Sequence, residues 1–515
     1  MLTSGTQTSM PLGIAPVLIA AASLPWLLLS LPVTGWFGEL LPYDQHRVVQ
    51  LGALIFSGLM VSLMAKPWVH GTHALGMHGL ALVAVVMVVG LLSASQSARP
   101  MLAVQEVVVW GLIVCCGLQV AGWCQVDSGS DRVLAGLAAV SVVGHILSFF
   151  VGYLGILQFG PPVMDTHMVP GYGNYRVFNH YQTWLFPIVL SFWRWVPERP
   201  GWRVGTALLS GLWFSMAYVT GARATLFAVA VAIAAALIVF RKHAVLLARS
   251  ALAGALIGAA LWAIAFLALP TVMWGVPAVE DSGLMRVGLS RRDVLWTQAA
   301  ELLRQSPWLG VGPMHFAYFP NPVSSGPHNF SLQLAAEWGL PVAVLVCFGI
   351  GLALIRHVAA IRRQPDPAGG VAWLDVVLWV SLLAGAIDAQ LSDSMNMPMS
   401  QMWMLLVAGW ALGRASRGLG RRRGTTGFRG IGIPGRLIPV ALAVLVFVVI
   451  WPTPTKLSEI YVRNRACCLT EIPRHRHYSY RFWRQGWILP GSWSDSKSPE
   501  KRETLDPPAP RPGTT

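Results

Sequence analysis

The sequence predicts an all-α, polytopic membrane protein with about 12 to 13 transmembrane helices and one long helical loop outside the bundle. Hydrophobic residues make up 55% of the 515 residues, charged residues make up only 11%, and 23 residues are Trp. Apolar runs of about 20 residues, long enough to cross a bilayer, recur along the chain. Because the bilayer core holds no water, such runs must satisfy their backbone polar groups internally, as helices do.

Thirteen apolar segments are predicted to span the membrane. The first carries no signal-peptide cleavage pattern ahead of a soluble region, so we expect it to be retained. Their approximate bounds are 12–32, 47–65, 75–93, 103–123, 133–157, 181–197, 204–220, 223–240, 245–269, 340–356, 371–389, 398–413 and 437–451.

These segments divide the chain into four parts. An N-terminal transmembrane bundle of about nine helices covers 1–269, and a polar loop follows at 270–339. The C-terminal transmembrane helices cover 340–451, and the tail over 452–515 is rich in Pro and charge near its end and is expected to be partly disordered.

The formal net charge of +15 follows the predicted topology. If the N-terminus is cytoplasmic, eighteen Lys and Arg of the short loops lie inside and four lie outside, which is the positive-inside bias. The long loop and the C-terminal tail then lie outside. The arginines of 414–436 are interpreted as a cytoplasmic anchor that contacts anionic membrane lipids. Charge placed in this way gives no argument for binding nucleic acid, and no such partner is expected.

The long loop contains two predicted helices with candidate functional residues at their starts. Ser290 suits the cap of the first helix, which Pro307 ends, and Pro327 suits the first turn of the second. A turn rich in Gly and Pro, 310–322, separates them. The first helix opens with Arg291 and Arg292, and the second opens with His328 and Asn329.

Four further polar residues lie where predicted spans meet the outer surface. Arg176 and Asn179 fall among Tyr residues in 158–182, a composition that suits sugars but is also ordinary at a membrane interface. Arg99 either reaches substrate or extends toward lipid headgroups. Arg223, in T-G-A-R-A-T-L-F, lies at or just inside the membrane surface. A charged side chain there costs free energy unless it is paired or faces water or an anion.

Several chemistries lack their motifs in this sequence. A phosphate-binding G-x-x-x-x-G-K-[ST], a zinc-binding H-E-x-x-H and a nucleophilic G-x-S-x-G are all absent, and so is a D-x-D pair that could hold a metal-bound nucleotide sugar. We therefore expect no cofactor and no metal. Two arginines can neutralise a diphosphate by bidentate hydrogen bonds, and a histidine can accept a proton near neutral pH. In the first turn of a helix, the helix dipole would keep His328 neutral.

The segments R-D-V-L-W, A-A-E-L-L-R-Q-S-P-W-L-G-V-G-P-M-H-F and P-H-N-F-S-L-Q-L-A-A-E-W-G-L-P resemble the central block of the bacterial O-antigen ligase superfamily. This superfamily also contains O-antigen polymerases and protein O-oligosaccharyltransferases. T-G-A-R-A-T-L-F resembles its short arginine motif, although Ala222 stands where Ser is common. The resemblance covers roughly 215–345, and the basic tail after the last span is a departure from it.

The resemblance implies a glycosyltransferase of the bacterial inner membrane that works without a metal. A glycan would pass from undecaprenyl diphosphate to an acceptor hydroxyl on the periplasmic face, with inversion, while the N-terminus is cytoplasmic and the C-terminus periplasmic. Arg223 and Arg292 match the diphosphate-binding arginines, with Arg291 as an alternative to Arg292. His328 matches the general base or acceptor-positioning residue, and Asn329 is a candidate substrate contact.

The acceptor stays open between three members of this superfamily. A ligase would use the lipid A core as acceptor, and a polymerase would use a growing lipid-linked glycan. A protein oligosaccharyltransferase would use a Ser or Thr of a pilin-like protein. The ligase is ranked first because its general layout fits. A transporter of the same lipid-linked glycan is the alternative from a different functional class.

Overall fold

A computed structural model of the chain describes residues 42–63, 65–162, 168–169, 172, 174–278, 291–319, 321, 323–363, 372–420 and 433–450. Every regular element in these ranges is helical, which confirms the all-α class. In chain order the α-helices are α1 (Pro42–Leu63), α2 (Ala65–Gln96), α3 (Pro100–Val126), α4 (Ser130–Leu157), α5 (Tyr175–Val189), α6 (Pro200–Val219), α7 (Arg223–Phe240), α8 (Lys242–Ala263), α9 (Leu269–Trp274), α10 (Arg292–Gln305), α11 (Phe330–Trp338), α12 (Leu340–Arg363), α13 (Ala372–Asp388), α14 (Pro398–Gly420) and α15 (Ile433–Ile450).

The helices of the structure follow the predicted spans closely. Each predicted span from 47–65 onward overlaps a helix, although α5 ends at Val189, well before the predicted end of the span 181–197. The first span, 12–32, and the tail 452–515 lie outside the described residues. Six helices of the described part are long and apolar enough to cross a membrane, which confirms a multi-pass membrane protein. They are Pro67–Gln96, Pro100–Val126, Ser130–Leu157, Arg223–Phe240, Lys242–Trp274 and Leu340–Arg363. The total of 12 to 13 spans stays a prediction.

Small residues let the central helices approach closely. A Cβ atom on Gly413 of α14 would lie only 2.3 Å from the backbone oxygen of Ala121 on α3, and one on Gly409 would lie 2.5 Å from that of Gly117. Because lipid tails are as apolar as Leu, helices in a bilayer associate through such close packing rather than through the hydrophobic effect. The glycines therefore fix α14 against α3.

The two helices of the long loop exist, but their starts differ from the prediction. α11 begins at Phe330, and the Asn329 side chain caps it by accepting a hydrogen bond from the Leu332 N–H at 2.9 Å. Pro327 and His328 therefore precede the helix, so the expectation that both lie in its first turn was wrong. α10 begins at Arg292, one residue later than predicted, because Arg291 is left-handed and precedes the helix. Ser290 lies outside the described residues.

The Gly- and Pro-rich turn between α10 and α11 wraps the C-terminal end of α11. Val311 N–H donates to the Ala336 carbonyl and Gly312 N–H to the Glu337 carbonyl, both at 2.9 Å. The buried Glu337 side chain accepts from the Phe316 N–H at 2.9 Å. A small apolar core lies beneath this turn and is formed by Leu295, Ala299, Leu302, Phe316 and Ala336. The described part of the loop from α10 to α11 is thus a packed unit that presents fixed backbone to the bundle.

The bundle has two distinct ends, which we name after arginines. At the Arg223 end, the start of α5 meets the start of α7 and the end of α13: Thr220 Oγ1 donates to Asn179 Oδ1 at 2.8 Å, and His180 Nδ1 lies 3.8 Å from Asp388 Oδ2. The Arg414 end lies at the other termini of these helices. Because α13 has 17 residues, the two ends are separated by about 25 Å.

The Arg414 end contains a network of buried ion pairs. Arg414 donates to both oxygens of Asp375, at 2.6 and 3.1 Å, and also contacts Asp131. Arg417 donates to Asp131 at 2.8 Å, and Trp410 Nε1 donates to the same carboxylate at 2.7 Å. These two arginines of 414–436 therefore link α4, α13 and α14, a role that the sequence did not indicate.

Candidate functional site

A histidine and a buried carboxylate form the most chemically suggestive pair at the Arg223 end. His328 Nδ1 lies 2.9 Å from Asp393 Oδ2, with 32% of the His328 side chain exposed and only 3% of the Asp393 side chain. When the imidazole is neutral, this contact favours the proton on Nδ1, which leaves Nε2 to accept one from another molecule. The sequence had placed this role on His328 for a different reason, a helix dipole.

The backbone at His328 is left-handed, with a φ of 51°. Such a conformation is uncommon outside glycine and costs about 1–2 kcal/mol, although His is among the residues enriched there. Three contacts with the segment after α13 hold it. Phe330 N–H donates to the Ala389 carbonyl at 2.8 Å, Asn329 Nδ2 to the Gln390 carbonyl at 3.0 Å, and Ser331 Oγ to Gln390 Oε1 at 2.7 Å.

The segment that carries Asp393, residues 389–397, is itself held by buried polar side chains. Asn396 Nδ2 donates to Gln333 Oε1 of α11 at 3.0 Å. From the other side, Arg47 of α1 is buried and donates to the Asn396 carbonyl at 2.7 Å and to Gln401 Oε1 at 2.8 Å. A satisfied buried network of this kind restricts the backbone, so Asp393 is fixed in front of His328.

The arginines of α10 and α7 lie within electrostatic range of this pair. Burial and the neighbouring charge of Arg223 lower the pKa of Arg292, and the more weakly acting Arg176 lowers it further. The carboxylates of Asp393 and Asp388 raise the same pKa. α10 is anchored close to His328, because Trp296 Nε1 donates to the Pro327 carbonyl at 3.2 Å. Two further arginines and two aspartates therefore lie within electrostatic range of Arg292.

Asn179 positions the turn that carries Arg223. Its side chain is buried and accepts from Thr220, while its backbone carbonyl accepts from Thr225 Oγ1 at 3.1 Å. Gly221, with a φ of 63°, makes the sharp turn between these threonines. Arg223 is the first residue of α7 and is exposed, and Arg176 near the start of α5 is exposed as well.

The other three predicted site residues have different surroundings. Arg291 is exposed, has a left-handed φ of 59° and directly precedes α10, so only Arg292 is half-buried. Both ends of the Asn329 side chain bond within the protein, to Leu332 and Gln390. The Arg99 backbone N–H donates to Nε2 of the buried His315 at 3.0 Å, which ties Arg99 to the turn between α10 and α11.

Sequence reasoning missed both aspartates. Asp388 lies at the end of the predicted span 371–389, Asp393 lies in the short connection between this span and 398–413, and no motif marks either residue. The alternation of inside and outside loops was the available signal, because it places this connection on the same side as the long loop. Two acids in a short outer connection opposite a cluster of arginines are worth testing as partners of that cluster.

This arrangement combines an anion-binding surface with a proton acceptor. The arginines exceed the aspartates in number, and a guanidinium stays protonated in proteins, so a ligand that carries two phosphates would relieve the repulsion between Arg292 and Arg223. Next to them, Nε2 of His328 can take a proton from a hydroxyl. No group of three or more metal-ligating side chains lies within the described residues.

Comparison with known proteins gives one match. A family model described as O-antigen ligase matches residues 206–347, a range that includes α7, the loop and α11. It supports the resemblance to the O-antigen ligase superfamily that the arginine and His-Asn motifs indicated, and its members are glycosyltransferase-like enzymes. No curated protein matches the chain.

Proposed function

We propose that this chain, whose residues 206–347 match the O-antigen ligase family, transfers a glycan from undecaprenyl diphosphate to an acceptor hydroxyl. The observation that carries the proposal is the meeting of Arg292 and Arg223 with the His328–Asp393 pair at one end of a membrane bundle. The acceptor we propose is the lipid A core. In this assignment the enzyme lies in the inner membrane with the Arg223 end toward the periplasm, the N-terminus in the cytoplasm and the C-terminus in the periplasm.

Arg292 and Arg223 bind the diphosphate of the donor. Each guanidinium offers a planar pair of N–H donors that matches a phosphate group, and Arg176 adds positive charge near the mouth of the site. As the bond between the anomeric carbon and the phosphate oxygen breaks, negative charge grows on the diphosphate. Contacts that strengthen with this charge accelerate the reaction without a metal ion.

His328 activates the acceptor. Nε2 takes the hydroxyl proton while the acceptor oxygen forms its bond to the anomeric carbon, and undecaprenyl diphosphate leaves from the opposite face. A single displacement of this kind inverts the anomeric centre. Asp393 accepts the Nδ1 hydrogen bond, holds the ring in this tautomer and stabilises the imidazolium that forms.

The loop that carries α10 and α11 is the catalytic unit in this scheme, and the helices on either side supply the rest of the site. Arg223 comes from α7 and Asp393 from the segment after α13, so one part of the chain alone cannot form the site. Asn329 and Asn179, which the sequence predicts as substrate contacts, also hold the backbone next to His328 and Arg223 through hydrogen bonds.

The test is glycan transfer by the purified full-length protein in detergent. The donor is an undecaprenyl-diphosphate glycan, the acceptor is lipid A core, and the reaction is run with and without EDTA. We expect transfer that resists EDTA and falls by about 10²–10³-fold in Arg223→Gln, since one preorganised donor of this kind typically contributes that much.

Other results would redirect or overturn the proposal. Transfer to a growing glycan or to a pilin-like protein, but not to lipid A core, would replace the acceptor. Loss of activity in EDTA that returns with a divalent cation would contradict the metal-independent mechanism. Movement of the intact lipid-linked glycan across a vesicle membrane without any transfer product would favour a transporter.

A further inference from the structure

A cavity of about 370 Å³ lies at the Arg414 end of the bundle, away from the site described above. Three elements enclose it: the turn that follows α5, the start of α8 and the start of α13. Its volume falls in the range typical of small-molecule and cofactor sites. The lining residues are Ser191, Trp193, Arg194, Lys242, His243, Leu246, Leu247, Trp373, Val376 and Val377.

The cavity is basic and aromatic on one side and apolar on the other. Arg194, Lys242 and His243 contribute nitrogen donors, and none of the ten lining residues is acidic. The Arg194 guanidinium lies 5.0 Å from the ring centre of Trp193 and 5.8 Å from that of Trp373. Stacking of this kind restricts the orientation of a guanidinium.

The position of the cavity along the bundle matches a membrane interface. α5 has 15 residues, α7 has 18 and α13 has 17, and each runs from the Arg223 end to this cavity. These lengths correspond to about 22–27 Å, close to the thickness of a bilayer's hydrocarbon core. The basic groups therefore lie at headgroup depth in the leaflet opposite to His328.

The apolar wall gives the cavity an open path to lipid tails. Leu246 is 46% exposed on the surface of α8, a helix that is long and apolar enough to cross the membrane. Val376 and Val377 continue this wall on α13. A ligand with one anionic group and attached hydrocarbon chains would fill both sides at once, whereas a free phosphate would use only the basic side.

We propose that this cavity binds the phosphate headgroup of an anionic phospholipid in the leaflet opposite to His328. The phosphate lies between Arg194, Lys242 and His243, and an acyl chain runs along Leu246. Basic pockets between transmembrane helices commonly bind anionic headgroups in this way. The proposal does not depend on the glycan-transfer reaction, because it concerns the other end of the bundle.

The experiment measures lipid binding to the full-length protein in an uncharged detergent by native mass spectrometry. The probes are phosphatidylglycerol, phosphatidylethanolamine and inorganic phosphate. The test variant combines Arg194→Gln and Lys242→Gln, both exposed residues, and the matched control is Arg203→Gln, an exposed arginine at the same end that does not line the cavity.

We expect wild type and Arg203→Gln to bind phosphatidylglycerol more tightly than phosphatidylethanolamine. In the double variant the tightest phosphatidylglycerol site should weaken by about 30-fold, since each Lys or Arg near an anionic surface contributes roughly fivefold. Inorganic phosphate at the same concentration should neither bind detectably nor displace the lipid.

Three results would overturn the proposal. Equal affinity of wild type and double variant would place the lipid elsewhere, and equal binding of the two lipids would exclude recognition of the anionic charge. Displacement of the lipid by inorganic phosphate would indicate a soluble phosphate as the ligand. If the double variant does not fold, Lys242→Gln alone replaces it, with an expected loss of about fivefold.

Discussion

The two ends of the bundle use arginine in opposite ways. At the Arg414 end, Arg414 is 6% exposed and donates to Asp375 and Asp131, so its charge is neutralised inside the protein. At the Arg223 end, Arg292 is half-buried next to another arginine, which lowers its pKa. The first arrangement stabilises the fold. In the second arrangement two arginines repel each other, and an anionic ligand would relieve this repulsion, as is typical of a binding site.

The largest expected effect is on stability, at the Arg414 end. Arg414→Gln leaves the carboxylates of Asp375 and Asp131 buried with less compensation, and breaking a buried ion pair from one side typically costs about 3–5 kcal/mol. We expect a marked fall in the thermal unfolding midpoint in detergent. Arg363→Gln is the control, since this arginine is exposed at the end of α12. An unchanged midpoint in Arg414→Gln would remove the structural role of this network.

The next effect is on activity, at the Arg223 end. Arg292→Gln should lower transfer by about 10²–10³-fold, as expected for the loss of one preorganised charge, while the unfolding midpoint stays level or rises because a repulsion is lost. Arg291→Gln is the matched control: it removes the same charge from an exposed neighbour and should leave most of the activity. Equal losses in both variants would mean that total charge, rather than the position of Arg292, determines binding.

The sequence predicted the fold well because the bilayer restricts the possibilities. Apolar runs of sufficient length can only be helices there, so each predicted span from 47–65 onward overlaps a helix of the structure. The positions of Arg223 and Arg292 near each other were also expected, since both were assigned to the same side of the membrane. Such topology arguments need only hydropathy and charge.

The finer geometry of the site could not be read from the sequence. His328 precedes α11 in a left-handed conformation, and its neighbours Asn329 and Phe330 bond to the segment after α13. Its partner Asp393 is far away in the sequence and carries no motif. Asn329 matched a motif position, yet its side chain is used by the fold. Contacts between distant segments decide these points, and local patterns do not encode them.

The most direct test of the account is the rate of glycan transfer by three variants near the histidine. His328→Asn keeps a residue that tolerates the left-handed backbone and removes the proton acceptor, and Asp393→Asn removes the carboxylate charge. Asn329→Ala removes a helix cap worth about 1 kcal/mol together with the hydrogen bond to the Gln390 carbonyl. Each is compared with wild type in the same detergent after its unfolding midpoint is measured.

The account predicts a loss of about 10²–10⁴-fold for His328→Asn, the usual contribution of a general base, and a smaller loss for Asp393→Asn. Combining the two should add little to the loss from His328→Asn, because both act through one imidazole. Asn329→Ala should retain transfer at a lower midpoint. Wild-type transfer by folded His328→Asn would contradict the account, because no other group at the Arg223 end has been assigned the proton.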